Sequence, residues 1–244
     1  VMSYEWQFDK LLGAGANGSA FLAYRLDCIT NCPRTEEKFV IKKIFLGEST
    51  KILDKSAKLR ETQLLAMIRH PYIVAYEESY VEDGHLFVVM DFAGAGTMEK
   101  YTDPKCANKA KATTDVVKSL FVQLLLAVGY LHDKRIVHRD LKPANVFLRD
   151  AYLVKLGDLG EGWLRSSDAN ERWVDDPMAK GQLVGTPFYL APEGWLGKVR
   201  DPDKLDVWAL GVILYELLTR ARPFVAASVL KLAEQICSSP PRPP

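Results

Sequence analysis

Apolar residues in the first third of the chain come in short runs separated by turn residues. Phe8–Leu12, Ala20–Leu26 and Phe39–Phe45 are rich in aliphatic and aromatic side chains and are bounded by Gly, Asn or Pro. Tyr72–Tyr80 and Leu86–Phe92 flank an Asp83-Gly84 turn signal. Each run has the length and composition of a strand, so five strands are expected. Between the third and fourth, Lys51–Arg69 spaces Ile52, Leu59, Leu64, Leu65 and Ile68 among charges at a helical period, and Pro71 stops it. The pattern predicts a small antiparallel sheet interrupted by one helix.

After Gly94 the apolar runs lengthen. Thr114 or Asp115 is placed to cap a helix running to about His132, and Asp206 to cap another over Val207–Thr219. Apolar residues fall on most sides of both, which makes both interior. A further helical stretch, Ala227–Ile236, precedes the extended tail Ser238–Pro244. From Ile136 to Trp195 the chain is punctuated by Gly, Asp and Pro with only short apolar runs. A long irregular stretch in a compact domain is usually functional, so chemistry is expected there.

Composition narrows the classes. Lys+Arg 32 against Asp+Glu 31 in 244 residues leaves a net charge of +1, so nothing general draws the chain to nucleic acid or to an anionic membrane. With 48% hydrophobic and 26% charged residues the chain is an ordinary globular one. The most apolar stretches, Leu120–Val128 and Val207–Leu218, are broken by Gln123 and Glu216 and fall short of the about 18 to 20 residues of a membrane span. Val1–Trp6 carries neither a basic nor an apolar leader region. Cys28, Cys32, Cys106 and Cys237 do not form a disulfide scaffold, and Cys28-x-x-x-Cys32 reads as a loop with two free thiols rather than a zinc site. A reducing intracellular compartment is expected.

Several motifs carry chemistry. Gly13-Ala14-Gly15-Ala16-Asn17-Gly18 matches G-x-G-x-x-G, in which glycines let backbone N–H groups approach phosphate oxygens. The residues after it, Ser19–Tyr24, read as a strand, which favours a flap over nucleotide phosphates; taken alone, the motif fits a ligand-free hairpin equally. Lys42 ends an apolar strand, and Glu61 on the interrupting helix is its candidate partner for meeting α/β-phosphate oxygens, while the pleat sends Lys43 to the opposite face. Ile136–Asn145 matches H-R-D-L-x-x-x-N at every specified position. In that chemistry Asp140 accepts or orients the proton of an attacking hydroxyl, Lys142 steadies the transferring phosphoryl group, and Asn145 offers an amide oxygen to Mg²⁺. Asp158 in Leu156-Gly157-Asp158-Leu159-Gly160 supplies a second oxygen ligand.

Gly185–Glu193, which contains A-P-E, and Asp206-Val207-Trp208-Ala209-Leu210-Gly211 complete an ordered set that resembles a eukaryotic protein kinase over nearly the whole chain. Lys142 and Gly185-Thr186-Pro187 resemble the serine/threonine group. Gly18-Ser19-Ala20, Phe39–Ile44, Arg69–Val74 and Leu86–Phe92 resemble the NIMA-related (Nek) kinases. The resemblance implies an α+β, bilobal fold: an N-lobe over 1–90, a hinge at 91–93, a mainly helical C-lobe over 94–237 that lacks the family's last helices, and a Pro-rich tail over 238–244. It implies MgATP as phosphoryl donor and protein Ser/Thr hydroxyls as acceptors, in a cytoplasmic setting with cytoskeletal or nuclear association. Leu12, Gly13, Ala14, Gly15, Ala16, Asn17, Gly18, Ser19, Ala20, Val40, Lys42, Met90, Asp91, Ala93 and Phe147 would meet the nucleotide. Of these, Met90 backs the adenine, the backbone of Asp91 to Ala93 bonds it, and Ala20, Val40 and Phe147 sandwich it. Thr186 would contact Asp140 and Lys142.

The chain departs from that pattern in four places. Asn17 replaces the aromatic tip of the Gly-rich loop, and Leu159 replaces the phenylalanine of D-F-G. Gln182 stands where an activating phosphosite is expected, so activity without phosphorylation there is expected. Ser166 and Ser167 lie well upstream, and Trp173–Asp176 reads as a solvated loop, the alternative being that its acids stand in for the missing phosphate opposite Arg139. Finally, the arginine that would pair with Glu193 is missing, which would leave a buried carboxylate unpaired. Asn17, Leu159 and the short C-terminal part keep an alternative open: a nucleotide-holding scaffold that transfers no phosphate.

Overall fold

The structure, a computed structural model, describes residues 5–15, 18–27, 30, 32–46, 52–105, 112–165, 178 and 182–243. Ala16, Asn17, Cys28, Cys106, Ser166, Ser167 and Trp173–Asp176 lie outside the described residues. The chain forms two compact units, one of residues 1–70 and 74–93, the other of 71–73 and 94–244.

The first unit is a five-stranded antiparallel sheet, with β1 (Trp6–Gly15), β2 (Gly18–Leu26), β3 (Pro33–Phe45), β4 (Tyr76–Glu82) and β5 (His85–Asp91) in the order β1-β2-β3-β5-β4. Strand β3 is central and alternates, so Phe39, Ile41 and Lys43 face one side while Val40, Lys42 and Ile44 face the other. The first side buries Ala23, Phe39, Ile41, Phe87 and Val89, with Trp6 and Tyr80 packed at the margin. Arg25 closes that margin, its guanidinium 4.9 Å over the Phe39 ring and 5.4 Å over Trp6, while it donates to Glu77. Positive φ at Asp83 (45°) and Gly84 (70°) makes the β4–β5 connection the tight hairpin its sequence signals. Helix α1 (Ile52–Ala66) follows β3 and buries Leu64 and Leu65, with Ile68 just beyond its end.

Strand β4 begins at Tyr76, four residues later than the apolar run Tyr72–Tyr80 suggests. The reason is a competing partner. Tyr72 O accepts from Leu156 N at 2.8 Å, and Ile73 bridges Leu156 in parallel, so this segment belongs to the second unit.

In the second unit α2 (Glu99–Thr102) precedes α3 (Thr114–Asp133), which turns its Val117, Leu120, Leu124, Ala127, Val128 and Leu131 stripe into the core. The cap of α3 is Thr113, one residue before the expected position; its hydroxyl accepts from Val116 N at 3.4 Å. By length and composition alone, this 20-residue helix is long and apolar enough to cross a membrane, which corrects the shorter estimate drawn from Leu120–Val128. Its stripe is nevertheless packed as a core helix packs.

The irregular stretch that follows holds the two-residue strand β6 (Ile136–Val137), a 3₁₀ turn over Pro143–Asn145, and the paired strands β7 (Val146–Leu148) and β8 (Val154–Leu156). It continues with β9 (Trp163–Leu164) against β6, a second 3₁₀ turn over Pro187–Tyr189, and the single-turn α4 (Pro192–Trp195). Helix α5 (Asp203–Thr219) starts three residues before Asp206, so Asp206 is no cap: it lies within the helix, fully buried. Helix α6 (Val229–Ser238) is capped by Ser228 and buries Leu232 and Ile236 against Phe224. The expected helix Ala227–Ile236 is thus shifted two residues along the chain. Glu193 is half-buried rather than buried, and its carboxylate has no partner among the described residues. Cys32 and Cys237 are exposed free thiols.

Candidate active site

In the first unit the pleat aims Lys42 and Lys43 apart, as the sequence predicts. Lys43 Nζ lies 5.6 Å over the Phe87 ring on the cluster side. Lys42 Nζ, on the other, donates to both carboxylate oxygens of Glu61 at 2.8 and 2.7 Å. Glu61 is 6% exposed, so α1 presents a buried carboxylate that has one cation to meet.

The Gly-rich hairpin closes with Gly15 opposite Gly18, Ala14 opposite Ser19 and Gly13 opposite Ala20. Gly18 has φ +122°, and a Cβ there would sit 2.3 Å from Lys43 O, so the hairpin itself demands glycine at this position. A Cβ at Gly13 or Gly15 would meet nothing within 4 Å, so the fold does not explain these two. Leu12 lies on β1 before the hairpin and is partly exposed. Ala20 pairs with Lys42, and Met90 pairs with Val40. The N–H of Asp91 is taken by Ala75 O at 3.0 Å. Ala93 makes no hydrogen bond among the described residues.

The second unit gathers the rest. Asp206 organises the loop after β6: its Oδ2 accepts from His138 N and its Oδ1 from Arg139 N, each at 2.9 Å, and His132 Nε2 lies 2.8 Å from Oδ2. Satisfying two consecutive backbone donors lets Arg139 hold φ +66°, an uncommon value for a side-chain-bearing residue. His138 is fully buried, its Nε2 3.0 Å from Gly157 O. Arg139 Nε donates to Glu161 O at 2.6 Å.

The next residues converge. Lys142 Nζ donates to Asp140 Oδ2 at 2.7 Å and to Thr186 Oγ1 at 2.9 Å, and Thr186 Oγ1 donates to Asp140 Oδ1 at 2.6 Å. Asn145 Nδ2 donates to Asp140 O at 2.8 Å and Asp140 Oδ2 at 3.1 Å. Residues spread over 140–186 therefore share one carboxylate. Gly185 is the close approach that allows it: at φ +101°, its Cβ would lie 2.5 Å from Arg139 O.

Asp158, at φ +59°, follows Gly157, whose N–H bonds Asn145 O at 3.0 Å. Because both Nδ2 bonds point Asn145 inward, its Oδ1 has no partner among the described residues. An amide oxygen and a carboxylate, tied together through the backbone, are hard oxygen donors that fit Mg²⁺ completed by phosphates and water. Leu159 fills a buried site at 1% exposure, and Phe147 sits on β7 opposite Lys155.

Residues 6–240 match the protein kinase domain. The chain belongs to the protein kinase family. This kinase domain is 35% identical to serine/threonine-protein kinase Nek3 of Mus musculus over 96% of its own length. It is 34% identical to serine/threonine-protein kinase Nek5 of Homo sapiens over 94%, and 35% identical to putative serine/threonine-protein kinase A of Trypanosoma brucei brucei over 93%. The Nek resemblance read from the motifs is borne out. The chain spans 42%, 30% and 49% of these relatives' own lengths, less than half of each.

The kinase domain also holds residues the sequence reading missed or misjudged. Asp206 anchors the loop rather than capping α5. Tyr189 donates to Glu216 Oε2 at 2.9 Å in the core, and Arg222 Nε lies 3.4 Å from Glu216 Oε1 with its guanidinium 3.8 Å over the Phe188 ring. Burial, reinforced by the neighbouring Glu216 charge and hydrogen bond, pushes the Tyr189 phenol well above its ordinary range. Burial likewise pushes the Glu216 carboxyl up. A lone Glu inside an apolar helical run is the only sequence signal for this pair.

Proposed function

We propose that the chain is an ATP-dependent protein serine/threonine kinase. The observation that carries the reading is the Asp140 carboxylate, bonded at once by Lys142, Thr186 and Asn145. A carboxylate fixed this way is oriented to accept the proton of an acceptor hydroxyl as its oxygen attacks the γ-phosphorus and the bond to ADP breaks. Lys142 lies on the same carboxylate and offsets negative charge on the transferring group. Lys42, held by Glu61, meets α/β-phosphate oxygens, and the open sides of Gly13 and Gly15 leave room for phosphates near the backbone. Met90, Val40, Ala20, Phe147 and the Asp91 to Ala93 backbone serve the base. Asn145 Oδ1 and Asp158 hold Mg²⁺, which when bound screens phosphate charge. Lys142 next to Asp140, and the serine/threonine kinases among the relatives, support Ser/Thr acceptors.

The test is phosphosite mapping by mass spectrometry on casein incubated with the protein, ATP and Mg²⁺. New phosphoserine and phosphothreonine that vanish with EDTA are expected. A folded protein that binds ATP and modifies nothing would be a nucleotide-holding scaffold instead.

A further inference from the structure

We infer that the groove beside α5 is a docking site for proline-rich segments, held in this structure by the chain's own tail, residues 240–243, and able to take the same chemistry from another protein. The groove is apolar and has a volume of about 530 Å³ with the tail in place, the size of a ligand site. Trp208, Val212 and Tyr215 of α5 line it together with Pro223, Phe224 and Pro241. The Trp208 and Phe224 rings stack with centroids 6.1 Å apart and planes at 12°. Glu193 and Lys204 add one charge of each sign, so net charge does not select the ligand. Gly211 also lines the groove, and a Cβ there would meet nothing within 4 Å. A glycine inside a helix weakens it relative to alanine, and packing does not call for one here. What it does is leave the groove open.

The tail shows what fits. Ser239 leaves α6 extended, at φ −123° and ψ 149°, as a residue before proline prefers. Pro240, Pro241 and Pro243 each hold φ at about −65°, which keeps the segment near polyproline II with no internal hydrogen bonds. Such a segment is read through its rings and carbonyls, because it has few N–H groups. Residues 240–243 carry one, that of Arg242, and it donates to Pro223 O at 3.2 Å. The Tyr215 hydroxyl donates to Pro243 O at 3.1 Å, while Pro241 sits against the groove. Aromatic-lined grooves on other folds take proline-rich peptides in this way, exploiting a ligand that is already ordered before it docks. An external segment of the same chemistry therefore competes with the tail, which has the advantage of its tether.

The experiment reads fluorescence anisotropy of a fluorescein-labelled peptide with the sequence of residues 238–244, beside a control peptide whose prolines are all alanine. The proteins are wild type, the double variant Pro241→Gly with Pro243→Gly, and that double variant carrying Gly211→Leu or Tyr215→Phe. Loosening the tail is expected to tighten binding of the proline peptide at least about tenfold over wild type, because a tethered competitor is removed. The alanine peptide is expected to bind at least about tenfold more weakly, having to pay the ordering entropy that proline avoids. Gly211→Leu fills the groove and abolishes binding at an unchanged melting temperature. Tyr215→Phe keeps the ring, removes the donor and weakens binding about threefold to tenfold; it decides the matter where Gly211→Leu fails to fold. Equal binding of the two peptides, no gain on loosening the tail, or no loss in the groove variants would overturn the inference. So would a double variant that dimerises in sedimentation and leaves the peptide free, which assigns the groove to a second copy. Phosphoryl transfer is no part of the readout, so this inference and the kinase reading fail separately.

Discussion

Gly185 and Tyr189 carry the sharpest consequences at the scale of single residues. Gly185 combines a left-handed φ with a backbone oxygen of Arg139 where its Cβ would be, so Gly185→Ala must push the Thr186 segment away from the loop. A loss of roughly 1–3 kcal/mol in urea unfolding is expected, together with loss of transfer. Full activity in Gly185→Ala would show that the close approach is dispensable. Tyr189 gives a pH signature. In the unfolded chain its phenol ionises near pH 10, while in the folded chain burial keeps it protonated beyond that. The folded state then binds more protons, so stability falls as pH rises through about 10 and above. Glu216, its carboxyl raised, acts with the same sign just above the ordinary carboxylate range. Urea midpoints at about pH 9 and about pH 11 should drop less in Tyr189→Phe than in wild type; equal drops would remove Tyr189 from the alkaline response. Legibility at this scale follows locality. Asp140, Lys142 and Asn145 sit within six residues and are readable from spacing, whereas the Tyr189–Glu216 bond spans 27 residues and joins an irregular motif-bearing stretch to a helix that reads as plain core.

Among the elements, α5 bears most on the site. Its sequence, an acid followed by an apolar run, satisfies the rule for a cap at Asp206, and the helix instead begins at Asp203. The error has a physical cause: a side-chain oxygen that bonds backbone N–H groups serves equally at its own helix start or at another segment's, and only the fold tells which. Asp206→Ala would orphan the buried N–H groups of His138 and Arg139, at a cost of about 3–5 kcal/mol in chemical unfolding. Asp206→Asn, which keeps an acceptor oxygen, should lose less. Equal and small losses in both variants would mean that the loop holds itself. Strand β4 teaches the same lesson from the other side: Tyr72–Ala75 is apolar enough for a strand, and the pairing of Tyr72 and Ile73 with Leu156 draws it elsewhere. Elements with local signals, such as the Asp83-Gly84 hairpin and the helical period of α1, came out where the pattern placed them.

On the scale of the whole molecule, the two units each arrive with their part of the chemistry already assembled. The Lys42–Glu61 pair is complete in the first, and the Asp140 cluster is complete in the second. Each depends on a satisfied hydrogen-bond set rather than on a single residue, which is why the motifs could be read in order along the chain and why the supporting residues between them could not. The central claim is that Asp140 makes this chain a phosphoryl-transfer enzyme, and the most direct measurement is transfer from [γ-³²P]ATP to casein with Mg²⁺, wild type beside Asp140→Asn at matched melting temperature. The account predicts labelled casein with the wild type and a loss of at least about 100-fold in the variant. Equal labelling by the two proteins, or none from a folded wild type that binds ATP, would contradict it.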